Sequence, residues 1–274
     1  MRSKFVATIG AAVMTLAGAG MARAATVPPA IAAAVSVPTR SAKFVARDKY
    51  RHPAEELAFF GVKPSSTVVE IWPGPGYWTQ ILAPLLHDQG TYYVAMGSAD
   101  GSKLEQEWLP SAKFRAMLAK DPEIYDHVKF STLTVKHPDP APPDSADFVL
   151  TFRNLHNWMQ AGDTAQMLAG IHKALKPGGI FGVEDHRGNT TAPQDPKAEN
   201  GYVRQAYAIR LIEKAGFKFV GSSEIDANPK DTANWPEGVW TLPPSFALGA
   251  KDHAKYAAIG EADNFVLKFR KVGH

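Results

Sequence analysis

The sequence predicts a single α/β domain, a mostly parallel sheet with helices on both faces. Three observations predict it. Strand-like and helix-like segments alternate about five times, and two strand-like segments then close the chain. The stretch "STVVEIW" (66–72) is a continuous apolar run, the pattern of a strand buried on both faces. A turn holding Gly74 and Gly76 follows it at once and leads into a helical segment.

Each element has its own signal. "HPAEELAFFGVKP" (52–64) reads as a short helix: Pro53 suits its first turn, Glu55 and Glu56 sit at its positive end, and Gly61 stops it. The first strand comes next, then the helix "YWTQILAPLLHDQG" (77–90), kinked or ended near Pro84. "GTYYVAMG" (90–97) is the second strand, and "SKLEQEWLPSAKFRAMLAKDP" (102–122) is helical. "VKFSTLTV" (128–135) is the third strand, followed by the Pro-rich loop 136–145. "ADFVLTF" (146–152) is the fourth strand, and Pro177, Gly178 and Gly179 stop the helix 163–179. "IFGVEDH" (180–186) is the fifth strand, followed by the helix 201–217. "KFVGSSE" (218–224) and "NFVLKFRK" (264–271) are the last two strands.

Length and composition narrow the classes. The 274 residues suit one domain with one sizeable core. The formal net charge is +3, and no dense run of Lys and Arg argues for nucleic acid. There is no Cys, which excludes disulfides and thiolate-bound metals. The chain opens with basic Arg2 and Lys4, then the small apolar stretch Phe5–Met21, then "MARAAT" with Ala22 and Ala24 around Arg23. That is the grammar of a signal peptide cleaved after Ala24; the other reading is an uncleaved N-terminal anchor. The expected organisation is signal peptide 1–24, flexible Ala/Pro/Val-rich linker 25–40 and one domain 41–274. It implies an exported protein, periplasmic or secreted, with no stable membrane insertion after cleavage.

In open sheets of this kind ligands sit outside the carboxyl ends of the strands, so the residues just after each strand carry the functional reading. Gly74 and Gly76 let backbone turn sharply and approach a ligand. Glu70 ends a buried strand, where a lone carboxylate is costly, so it must pair with N–H groups, a cation or a ligand. Asp185 and His186 alternate at the end of the fifth strand. One of them faces the cleft beside the fourth-strand loop, where His156 can approach His186 and Asp185 can orient an imidazole. His52 can cover the same place from above.

Glu70-x-x-x-Gly74-x-Gly76 after an apolar strand resembles the first motif of class I S-adenosylmethionine-dependent methyltransferases. "LKPGGIFGVEDHR" (175–187) resembles the helix end, turn and fifth strand of that fold, and the closing strand pair its hairpin with an antiparallel last strand. More narrowly, "DKYRHPAEELAFFGVKP", "VVEIWPGPGYWTQILAP" and "VEDHR" resemble a group of exported bacterial proteins called predicted methyltransferases. The resemblance covers roughly residues 45 to 272. It implies a seven-stranded Rossmann-like sheet and S-adenosylmethionine as cofactor, held by Glu70, Trp72, Gly74, Gly76 and Asn154. A small-molecule acceptor would lose its proton to His156 or His186, aided by Asp185.

The chain departs from that pattern in places. Trp72 stands where the family usually has Gly. The second strand ends in Met96 and Gly97, where the family has the acid for the ribose hydroxyls, and Asp100 comes later. Arg153 would repel a sulfonium, so it is expected to face elsewhere or to bind a carboxylate. Arg51 and Arg187 are candidates for a substrate anion, and the aromatic loop 228–249 with Trp235, Trp240 and Phe246 for a lid. The alternative function is an exported non-catalytic protein of this fold that binds another small ligand. A metal held by His52, His156, His186 and Asp185 belongs to that alternative; the spacing is no metal signature, and no metal ligand is assigned.

Overall fold

The structure, a computed structural model, describes residues 26–191 and 193–273. The expected signal peptide lies outside the described residues. Helices α1 (Pro29–Val35), α2 (Ala42–Val45), α3 (Asp48–Arg51) and α4 (Pro53–Phe60) lead into β1 (Thr67–Ile71). Then come α5 (Thr79–Leu86), β2 (Thr91–Met96), α6 (Lys103–Glu107), α7 (Ala112–Lys120), α8 (Pro122–Tyr125), β3 (Val128–Thr132) and β4 (Ala146–Phe152). The second half holds α9 (Leu155–Ala161), α10 (Thr164–Ala174), β5 (Leu175–His186), α11 (Gln205–Lys214), β6 (Phe217–Ser223), α12 (His253–Ile259) and β7 (Asn264–Lys271).

The strands form one sheet in the order β3-β2-β1-β4-β5-β7-β6. The pairs among β1 to β5 are parallel, and β7 runs antiparallel between β5 and β6. This is the class I methyltransferase-like fold. The chain winds outward from β1 to β3, then returns to lay β4 on the other side of β1. Helices therefore leave β1 and β4 on opposite faces, and a crevice opens beyond their carboxyl ends.

Alternation along β1 divides the core. Val69 and Ile71 join Leu168, Ile171 and Phe181 on one face, while Val68 joins Leu57, Ile81 and Leu82 on the other. Both layers are sealed, as a parallel sheet requires.

Several expected elements come out differently. The expected linker 25–40 contains α1, whose Ile31 and Ala34 are buried and which packs on α4 and α5. Its small, uncharged residues make a tight apolar face rather than a spacer. The single helix expected over 102–122 divides into α6, α7 and α8, with Ser102 and Ser111 as new N-caps and Pro122 opening the last piece. Helix α5 continues past Pro84 for two residues. Strand β5 reaches back to Leu175 through an irregularity beside Ala146 and Phe148. Helices α9 and α12 have no counterpart in the sequence reading.

Candidate active site at the strand carboxyl ends

A cavity of about 470 Å³ lies in the crevice beyond β1, β4 and β5. Its size suits a small molecule. The end of β1 and the loop after it contribute Glu70, Trp72 and Gly74; the end of β4 contributes Phe152 and Arg153, and the first turn of α9 contributes His156. His186 and Asn264 come from the paired ends of β5 and β7, and Trp240 from the aromatic loop.

The first loop keeps its acid, but the acid is engaged inward. Glu70 Oε2 accepts hydrogen bonds from Thr79 Oγ1 (2.8 Å) and from the Tyr92 hydroxyl. Its Oε1 has no partner among the described residues. Burial pushes the carboxyl up to about 7, against the pull of the Tyr92 and Thr79 hydroxyls. Gly74 has φ +58° and faces the cavity, where a Cβ would rest 3.5 Å from Trp108. Gly76 serves packing instead: a Cβ there would come within 2.8 Å of Met117 Sδ on α7, and it does not line the cavity. Asn154 is also turned away, with Nδ2 donating to Ile71 O (3.0 Å) and Thr151 Oγ1 (3.1 Å), which ties the end of β4 to the end of β1.

Trp72 is the largest departure. Its φ of +49° is a left-handed conformation that a bulky residue rarely adopts. The side chain is almost fully buried, with Nε1 donating to Leu133 O at 3.0 Å just past β3. Trp108 stacks on it at 5.3 Å and 15°, and Trp158 meets it edge-on at 6.1 Å. Together these indoles fill the space over the ends of β2 and β3. Gly97, just past β2, presses on the backbone of Glu105, so that a Cβ would lie 1.7 Å from Glu105 O. Asp100 is exposed and pairs with Ser98, Lys136 and His137 outside the cavity.

The fourth- and fifth-strand loops come together as expected. Asp185 Oδ1 lies 2.8 Å from His156 Nδ1, and its oxygens also accept the backbone N–H groups of His156 (2.9 Å) and His186 (2.7 Å). His186 Nδ1 sits 2.8 Å from Asn264 Oδ1, and the two imidazoles are 5.2 Å apart. Burial lowers the His186 pKa to about 3 despite the neighbouring Asp185, so that ring is neutral. Burial opposes ionisation of Asp185, but His156 beside it holds the carboxyl below its ordinary range. His52 stands apart: it precedes α4 at the N-cap position, and its ring pairs with Asp226 at 2.8 Å.

Arginines also line the cavity. Glu261 takes Arg47 at 2.5 and 2.8 Å, Arg51 at 3.2 Å and Arg153 at 3.5 Å. Burial would raise the Glu261 pKa, but the Arg47 hydrogen bonds and the charges of Arg51 and Arg153 hold it at about 2. Arg153 has φ +62° and no hydrogen bond from its guanidinium among the described residues, so it binds its carboxylates by charge alone. Behind it Glu184 is fully buried, and burial lifts it to about 7 although Arg153 pulls it down. Arg187 lies outside the cavity and pairs with Glu224 and Asp263. In the expected lid, Trp240 reaches the cavity, while Trp235 and Phe246 pack around Tyr202 and Leu242.

Sequence reasoning passed over Arg47, Trp108, Glu261 and Asn264. Trp108 carried the one available signal, a large aromatic in an otherwise polar helical stretch. The others are ordinary polar residues until the fold brings them to one cavity.

No protein-family model and no curated protein matches this sequence. Solved structures do resemble it. A SAM-dependent methyltransferase from Aquifex aeolicus matches with a TM-score of 0.55 and 15% identity, over 83% of this chain and 93% of that one. The [4+2]-cyclase SpnF matches with a TM-score of 0.52 and 17% identity, over 80% and 82%. Phosphoethanolamine N-methyltransferase 2 from Haemonchus contortus matches with a TM-score of 0.52 and 16% identity, over 79% and 51%. At such identities the likeness establishes the fold.

Proposed function

We propose that this protein is an S-adenosylmethionine-dependent methyltransferase acting on a small molecule. The supporting observation is the cavity beyond β1 and β4, in a methyltransferase-like sheet, with His156, held by the buried Asp185, in its wall. We further propose, from the sequence signals alone, that it is exported and belongs with the bacterial group its motifs resemble.

The fit to the cofactor is divided. Gly74 offers close backbone approach, and Glu70 borders the cavity with its unpartnered Oε1 buried. No acid ends β2, and Trp108 occupies the face of Trp72. Trp72 can hold a nucleoside by stacking only when the Trp108 indole leaves it. Cofactor binding therefore requires a displacement of Trp108, which follows the short helix α6 and is partly buried.

When bound, S-adenosylmethionine supplies an electrophilic methyl group. The chain's part is to hold and prepare the acceptor. Asp185 fixes the tautomer of His156 by accepting from Nδ1, which leaves Nε2 basic and open to the cavity. His156 is suited to take a proton from an acceptor hydroxyl or amine. Arg51 and Arg153 also line the cavity and are suited to orient an anionic end of the ligand. Much of the rate gain then comes from alignment.

Calorimetric titration with S-adenosylmethionine and S-adenosylhomocysteine tests this reading. Binding near micromolar supports it. Folded protein that takes up neither at millimolar concentration contradicts it. The second reading, a fold-sharing protein that binds another small ligand, draws on the filled Trp72–Trp108 groove and would then take its place.

A further inference from the structure

We propose that His156 and His186 form a binding site for a divalent transition-metal ion, with Asp185 and Asn264 as the supporting second layer. Both rings line the cavity, one from the first turn of α9 and one from the end of β5. Each ring has its Nδ1 engaged: His156 with Asp185 Oδ1 at 2.8 Å, His186 with Asn264 Oδ1 at 2.8 Å. An oxygen partner at Nδ1 puts the proton there and leaves the lone pair on Nε2. Neither Nε2 has a hydrogen-bond partner among the described residues, and neither is sealed from the cavity. Metal-binding imidazoles are usually prepared in this way, one nitrogen held by a carboxylate or amide oxygen and the other presented to the ion.

The spacing agrees. The rings are 5.2 Å apart and tilted by 37°, and ligand atoms of His156, Asp185 and His186 lie within 4.8 Å of one another. Two imidazoles on one ion need donors within about 4.2 Å, twice the usual metal–nitrogen distance of roughly 2.1 Å. One ion shared by both rings therefore requires the two Nε2 atoms to come within that distance, with both Nδ1 atoms still held. Asp185 itself is a poor direct ligand, because its oxygens already accept two backbone N–H groups and one ring nitrogen. It is a positioning residue: it fixes both the backbone and the ring of His156. Imidazole donors with no thiolate suit Zn²⁺, Cu²⁺, Ni²⁺ or Co²⁺ rather than Mg²⁺ or Ca²⁺. The remaining coordination positions open to the cavity, where a hydroxyl, amine or carboxylate of a small ligand can complete them.

The inference stands apart from the methyl-transfer reading, since it concerns metal binding whether or not a cofactor is present. Where the ion is bound, Nε2 of His156 no longer serves as a base.

Chelator-stripped full-length protein is titrated with Co²⁺ and Zn²⁺, following cobalt absorption and heat. The expected result is one ion per chain, with His156→Gln and His186→Gln each weakening binding at least tenfold. Asn264→Ala, which leaves both ligands in place, is expected to weaken it roughly tenfold. His87→Gln probes the other candidate group, His87, Asp126 and His127 at the surface, and is expected to change nothing. Circular dichroism of each variant separates loss of metal from loss of fold, and His156→Gln and His186→Gln are read independently. The proposal is overturned if folded wild-type protein binds no ion at millimolar concentration, if both His variants bind as wild type does, or if His87→Gln removes the binding.

Discussion

The indole of Trp72 lies face to face with that of Trp108, 5.3 Å between ring centroids and 15° between planes. One residue sits in the first βα loop, the other beyond β2, so the stack bridges the two places where a nucleoside would have to enter. A nucleoside can lie on Trp72 only if this stack opens.

Trp108→Ala removes the movable half. An aromatic pair of this kind contributes roughly 0.5–1.5 kcal/mol beyond its buried area. If a bound nucleoside replaces Trp108 on Trp72, the variant no longer bears that cost. Its affinity for S-adenosylhomocysteine should rise by about two- to tenfold. Calorimetry on wild type and variant checks it, and unchanged or weaker affinity argues against the exchange.

Trp72→Gly relieves a left-handed backbone but empties a core site. The strain relieved is of order 1–3 kcal/mol, and removing a buried Trp costs at least 3–5 kcal/mol. The lost hydrogen bond to Leu133 O adds to the cost. Net destabilisation of about 2–4 kcal/mol is expected in chemical denaturation. A variant as stable as wild type would mean that the relieved strain is as large as the lost packing.

Glu70 should make stability fall as pH rises. Its carboxyl is lifted from 4.5 to about 7 by burial, so the folded state holds a proton that the unfolded state has released across that window. The penalty is absent below 4.5 and complete above 7, and amounts to roughly 3 kcal/mol. Glu70→Gln keeps an acceptor for Tyr92 and Thr79 without a charge. It should match wild type near pH 4.5 and melt higher at pH 8, in thermal unfolding followed across that range. Parallel pH profiles would place the shift elsewhere.

Asp185→Asn tests the positioning of His156. The amide cannot accept from all three N–H donors that Asp185 now holds. Expected outcomes are a loss of roughly 1.5–3 kcal/mol of stability and at least a hundredfold drop in methyl transfer once an acceptor is found. Steady-state kinetics on the folded variant would check it, and full activity would remove His156 from the chemistry.

The fold was legible in the sequence because a parallel sheet leaves a strong trace. Buried runs such as 146–152 and glycine stops such as Gly216 mark its strands and helix ends. Meeting points at strand ends were legible too: His156, Asp185 and His186 converge because β4 and β5 are adjacent. Which way a side chain turns inside a loop was not. Asn154 and Gly76 had the right positions but serve packing, since a one-residue change in loop direction exchanges cavity for core. Arg47 and Glu261, 214 residues apart, meet only through tertiary structure. Residues 29–35 read as a spacer because composition reports polarity, not whether a small apolar face has a partner to cover it.

The most direct test of the central claim is a crystal structure of the protein grown with saturating S-adenosylhomocysteine. The account predicts the ligand in the cavity beside Gly74, its nucleoside on the face of Trp72 and the Trp108 indole moved off it. An intact Trp72–Trp108 stack, with the cavity holding some other molecule or none, would contradict it.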